Sequence, residues 1–327
     1  MALAHGPARQ RGVALAILLW FIAAMTLLVS GIVLQARTDI RLAQLHTEEA
    51  RAESAGDGAI QLALAELLLL ERTGERDGPA GFSTVQQVGD YRVVVTLTPV
   101  SGLVDLNQAT VELLATLLAS VEDIDEGSAE ELAQRMVDWR SAAGADEDGA
   151  LSAAAVDAAG FGLDSAGEQG ERDIRNGEFE AIEDLLLVAG VDRRIFEAIK
   201  DAVYVSRDGG QTGVDWNSAP ATVLRALGDI DEASAYELML ARLDALDDSL
   251  PPEEFMAYQQ SMQSSIYRVD ALVQGDSTVY QRRRWVDRGR SGFDGLPWIY
   301  LRTDDLIAAS GMSARLYGDV EALHGGT

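Results

Sequence analysis

The sequence predicts an α+β protein made of a long N-terminal helix that crosses a membrane, an antiparallel sheet, and a large α-helical domain inserted into that sheet. Three observations point to it. An apolar run without a single charge fills Val13 to Leu34. Strand-like patterns rich in β-branched residues occur twice, at Asp90–Asn107 and at Ser264–Arg288. Between them the apolar residues recur at helical spacing from Asn107 to about Met262.

The apolar run comes first. A cleaved export signal has an apolar core of roughly 7–15 residues and a small-x-small site; this run is longer, and nothing from Ser30 to Gln35 forms such a site. At ~1.5 Å per residue, residues 13–34 extend about 33 Å, enough to cross a hydrocarbon core of ~30 Å. Arg9 and Arg11 precede the run and a long acidic body follows it, so the N-terminus is expected in the cytoplasm and the body across the membrane.

The helical pattern continues beyond the membrane. Ala52, Ala55, Ala59, Ala63 and Leu67 fall on one helix face. Small residues there admit two readings: close packing against helices of other subunits, or an amphipathic helix lying on its own domain. Gly56 and Gly58 each weaken the helix by about 1 kcal/mol relative to alanine, which suits a bend.

Composition narrows the chemistry. The formal net charge of −27 over 327 residues argues against nucleic acid as a partner, since affinity there rests on cations neutralising phosphates. Its plain reading is a solvated acidic surface. Lys200 is the only lysine, which removes a P-loop and any lysine nucleophile. The absence of cysteine removes thiol catalysis, zinc-thiolate sites and disulfides. His5, His46 and His324 are too scattered for a histidine triad. No nucleophile, base and orienting group fall together, so the chain is not expected to be an enzyme.

The stretches "RQRGVALAILLWFIAAMTLL" and "EEARAESAGDGAIQLALAEL" together resemble the N-terminal region of the K-type minor pseudopilins (GspK) of bacterial type II secretion. The resemblance implies a prepilin leader, residues 1–12, cut between Gly12 and Val13, with methylation of the new N-terminus. It further implies a helix over 13–72 with its membrane part at 13–34, a pilin-like α/β domain from 73–106 and 264–303, and an inserted helical domain at 107–263. No role is suggested for the extension at 304–327. The implied partners are other minor pseudopilins, the major pseudopilin, the inner-membrane secretion platform and prepilin peptidase, with no nucleic acid. The implied role is initiating the pseudopilus and capping its tip, from a single-pass inner-membrane protein with a periplasmic body. The alternative is a membrane-tethered periplasmic binding or scaffold protein whose helical domain recognises peptide or polysaccharide.

One departure has a physical meaning. Most pilin-like proteins carry glutamate at the fifth mature position, where this chain has Ile17. In a filament that carboxylate can meet the N-terminal ammonium of the preceding subunit. Unpaired in lipid it costs ~2.5–3.5 kcal/mol, so an apolar Ile17 suits a subunit that sits first.

The inserted segment holds an internal echo. "VDLNQATVELLATL" (Val104–Leu117) and "VDWNSAPATVLRAL" (Val214–Leu227) share V-D-x-N-x-A, each ending an extended piece at Asn107 or Asn217 before a helix. With "EFEAIEDLLLVAGVDRRIFEAIKDAV", a helix, turn and helix, they resemble helix-hairpin-helix modules. Such modules often grip DNA, but the acidic turns here favour packing. The family's "N-x-N-x-A" signature is matched except at Leu106 and Trp216.

Two further stretches stand out. "DWRSAAGADEDGALSAAAVDAAGFGLDSAGEQGERDIRNGEF" has carboxylates and glycines in a loop, as calcium sites do. The family has an Asp-Trp-Arg segment leading into a calcium-binding loop, which Asp138, Trp139 and Arg140 match; Asp146 and Asp148 then become candidate calcium ligands. A solvated loop is the other reading, and no EF-hand spacing is present. Finally, "RRRW" at Arg282–Trp285 reads as an exposed, charge-protected strand edge or a docking surface for an acidic neighbour.

Overall fold

The computed structural model describes residues 11–74, 81–141, 177–207, 209–244, 251–261, 264–276, 278–292 and 295–324. It divides in sequence between Ser54 and Ala55 into two units.

The first unit is the upper part of helix α1 (Arg11–Thr73, 63 residues). No proline interrupts it, and leucine, alanine and isoleucine dominate its apolar part. Trp20 and Leu27 stand about three-quarters exposed, at 74% and 75%. The hydroxyl of Thr26 donates back to the Ile22 carbonyl at 2.8 Å, so this polar group needs no partner outside the helix. Among the described residues this is the one helix long and apolar enough to cross a membrane.

The second unit is built on an antiparallel sheet in the order β1-β2-β5-β6-β7, with β8 pairing β6 beyond the end of β7. Its strands are β1 (Phe82–Val88), β2 (Tyr91–Pro99), β5 (Ile266–Gln274), β6 (Val279–Asp287), β7 (Ile299–Thr303) and β8 (Ile307–Ala308). The register Thr84↔Val95, Val95↔Ala271, Ala271↔Arg282 runs one row of side chains across four strands. From Val93 to Pro99 β2 is buried throughout, because both of its faces are covered. The lower part of α1 lies on one face. On the other, Tyr317 and Val320 of the C-terminal helix α8 (Gly311–His324) pack with Val94 and Leu272. The chain after Asp304, to which the sequence assigned no role, thus supplies both an edge pairing and a covering helix.

Between β2 and β5 lies the helical domain. Its helices are α2 (Val111–Ala119), α3 (Glu126–Arg140), α4 (Arg193–Ile199), α5 (Ala221–Gly228), α6 (Glu232–Asp244) and α7 (Glu253–Met256), with a 3₁₀ turn at Ile182–Leu187. A parallel pair, β3 (Val104–Asp105) with β4 (Val203–Tyr204), ties the entry of the domain to the stretch between α4 and α5. The echo holds at this level, since α2 and α5 begin at equivalent residues. Pro220 is the extended N-cap of α5.

Three helix–turn–helix units share one local device. A residue with positive φ lies in the turn between the two helical segments: Asp123 (65°), Gly190 (94°) or Asp229 (47°), the last being the C-cap of α5 itself. Ile124, Val191 or Ile230 follows, and then an aspartate whose carboxylate accepts a backbone N–H of the next helix: Asp125 from Ser128 (3.1 Å), Asp192 from Ile195 (2.8 Å), Asp231 from Ser234 (2.9 Å). Apolar residues from all three units, including Leu114, Leu185 and Leu224, meet in one core.

Candidate assembly site: the anchored helix and its seat

The face of α1 that lies on the sheet is lined by Ala55, Ala59 and Ala63, all at most 4% exposed, with Ile60, Leu64 and Leu67. Small side chains bring the helix backbone close to the strands: a Cβ on Gly56 would stand 3.0 Å from Cβ of Arg282. This corrects the expectation that these alanines form the surface for other subunits. The chain's own sheet already covers them, so the second reading of the stripe is the one realised. Ala52 is buried too, at 0%.

Three carboxylates of α1 fasten it. Glu66 accepts from the hydroxyl of Thr84 and the amide of Gln86 on β1. Asp57 takes Nε of Arg282 at 2.9 Å and Nη2 of Arg284 at 2.6 Å. Glu71 receives Arg288 in a two-pronged pair, with Nη1 to Oε1 at 2.8 Å. Burial opposes the charge on Arg288, but Glu71 outweighs it and holds the guanidinium above its ordinary pKa. The sequence reading had no place for these carboxylates. Their signal was three acidic residues beside an apolar stripe, of which Asp57 meets the arginine triplet.

That triplet requires a second correction. Arg282, Arg283 and Arg284 are not at an exposed edge, because β6 is flanked by β5 on one side and by β7 and β8 on the other. Arg282 and Arg284 turn to α1, while Arg283 turns to the opposite face, where Nε meets Asp270 and Nη1 meets Asp201, both at 2.6 Å. Arg268 adds Nε to Asp270 at 3.0 Å and Nη1 to the Asp201 carbonyl at 2.6 Å. Burial alone would raise Asp270, yet Arg283 and Arg268 hold its carboxyl below the usual range. Burial likewise works against Arg283, and Asp270 and Asp201 reverse it. Guanidinium groups two residues apart on one strand face, about 7 Å, repel by roughly 2 kcal/mol at an effective dielectric of ~20. Asp57 between Arg282 and Arg284 offsets this.

The Asp-Trp-Arg segment closes the base of the acidic loop. Trp139 stacks on Phe179 with ring centroids 6.3 Å apart, and its carbonyl accepts Gly177 N–H at 3.2 Å, so the two flanks of the loop meet. Arg140 forks onto the carbonyls of Leu106 (2.7 Å) and Ala109 (2.5 Å). Asp146 and Asp148 lie outside the described residues. Among those described, no group of three or more His, Asp or Glu could hold a metal ion. Gly12 and Val13 fall in the first turn of α1, and Ile17 is exposed at 62%.

Helix, seat and insertion together define a class: an α+β protein with one membrane-capable helix, its sheet split by a domain of helix–turn–helix units. No family model and no curated protein matches the chain. Among solved structures it is similar to a chain of the GspK-GspI-GspJ complex of the type 2 secretion system from enterotoxigenic Escherichia coli. The identity is 15% and the TM-score 0.46, with 83% of this chain and 99% of that chain covered.

Proposed function

We propose that the chain is a K-type minor pseudopilin of type II secretion, which initiates the pseudopilus and caps its tip. Residues 13–34 anchor it in the inner membrane with the body in the periplasm, after prepilin peptidase cuts between Gly12 and Val13 and the new N-terminus is methylated. Its partners are the other minor pseudopilins, the major pseudopilin and the secretion platform. The acidic loop, with Asp146 and Asp148, takes calcium.

The observation that carries this reading is the single 63-residue helix, greasy above and fastened below into one face of a sheet. Ile17 supports the place at the tip. The turn amides of Ser128, Ile195 and Ser234, which a DNA phosphate would use, are each taken by an aspartate. N-terminal sequencing of the protein from cells with and without prepilin peptidase tests the reading. A mature chain starting at Val13 only when the peptidase is present is the expected result, and an uncut leader in both would overturn it.

A further inference from the structure

α6 stands between two apolar clusters. Ala235 is buried in the core of the helical domain, with Leu238 and Met239 packed against that core. Leu240, on another side of the helix, packs instead with Val94 and Leu272 of the sheet, Val85 of the edge strand β1, and Tyr317 and Val320 of α8. The phenol of Tyr236, one helical turn before Leu240, donates to Asp319 of α8 at 2.8 Å. α8 is in turn tied to β2, where Glu321 meets Arg92 at 3.0 Å and the Tyr317 hydroxyl donates to the Arg92 carbonyl at 3.3 Å. One short helix thus touches both the sheet and the inserted domain.

Taken alone, that helix has little to hold it. α8 has 14 residues, near the ~12–15 below which an isolated helix is marginal in water, and Gly318 in its interior favours it less than alanine would. Among its described side chains only Tyr317 and Val320 are buried. The helix therefore forms where these two side chains find their seat, so that docking and helix formation go together.

We propose that α8 is a clip. Docked, it fixes α6 to the edge of the sheet at β1; undocked, it releases α6 while the core of the helical domain stays whole. The sheet and α6 each gain a partner when the other holds α8 in place, so their contacts with it reinforce one another and a change on either side is felt on the other.

Amide hydrogen exchange of the full chain in detergent micelles tests the clip, read at residues 311–324, 232–244 and 111–119. Val320→Ser, which spoils the seat without altering α6, is expected to speed exchange about tenfold in 311–324 and about threefold in 232–244, within the range of coupling between residues in contact. Exchange in 111–119 should not change. A wild-type rate in 232–244 while 311–324 opens would overturn the proposal, and so would an equal speeding of 111–119, which makes α8 part of one common core. If Val320→Ser fails to fold, Leu240→Ala supplies the reciprocal measurement: faster exchange in 311–324 with 111–119 unchanged supports the clip, and any other pattern overturns it.

Discussion

Asn107 and Phe179, 72 positions apart, hold each other as two strand residues would: the Asn107 amide donates to the Phe179 carbonyl at 3.0 Å and Phe179 N–H donates to the Asn107 side-chain oxygen at 2.8 Å. The same amide donates to Ser206 O at 2.8 Å. One side chain thus binds the start of the helical domain to its middle at two places, Phe179 and Ser206. Its counterpart in the echo, Asn217, is exposed, and its backbone N–H donates to Asp215. Asn107→Ala should cost about 2–4 kcal/mol by leaving buried backbone groups unpaired, whereas Asn217→Ala should stay within about 0.5 kcal/mol. Urea unfolding of the two variants checks the asymmetry.

The alanine stripe of α1 makes an opposite pair of predictions. Ala63 is fully buried, so Ala63→Leu overpacks the helix against the sheet and should lower stability by roughly 1–3 kcal/mol. Leu62, one residue away and 47% exposed, should tolerate alanine with a change of about 0.5 kcal/mol or less. Equal losses for both would mean that the stripe is not seated as described.

Acid should weaken the fold in a definite window. The Ser128 N–H, then its hydroxyl, hold Asp125 below its ordinary 3.8, and Ser234 does the same for Asp231. Asp270 is lowered by Arg283 and Arg268 against the opposing effect of burial. A carboxyl with a depressed folded pKa binds protons more readily when unfolded. Its stabilisation is complete above the unfolded value of 3.8 and is lost as pH falls through the lower folded value. The urea midpoint should therefore fall on going from about pH 5 to about pH 3. Asp125→Asn with Asp231→Asn, which keeps caps but removes their titration, should flatten that fall.

At the membrane end, Ile17→Glu should impair pseudopilus assembly and secretion more than Ile17→Leu, since an unpaired carboxylate in lipid costs about 2.5–3.5 kcal/mol. Secretion assays in cells carrying each variant decide; equal secretion counts against a place at the tip.

Calcium removal supplies the last test. Chelation should lower the melting temperature of the wild-type protein and have little effect on an Asp146→Asn, Asp148→Asn variant. A metal-stripped sample that melts unchanged would discredit the site.

The elements with a strong local signature were readable from residues alone. Val13–Leu34 had to be a helix by length and hydropathy, and the strand pair around Gln274, Gly275 and Asp276 appears as β5 and β6. The split of the sheet by a helical block was legible because period-two and helical patterns alternate on that scale. What misled the reading were residues whose meaning depends on partners far along the chain. Ala55, Ala59 and Ala63 look alike whether a sheet or another helix covers them. Arg282, Arg283 and Arg284 look like an exposed edge until β7, β8, Asp57 and Asp201 are placed. The three turn aspartates, Asp125, Asp192 and Asp231, registered in the sequence only as acidic turns, and the backbone N–H groups they accept show them to be caps.

The long insertion between β2 and β5 also bears on how the molecule is made. Thr96 pairs with Asp270, so a nearly unbroken greasy strand must wait for some 170 further residues before its neighbour exists. Folding with such high contact order is slow, and until β5 arrives the edge of β2 is a template for aggregation. Newly made chains should therefore need shielding by a chaperone for the interval in which the helical block is complete and the sheet is not.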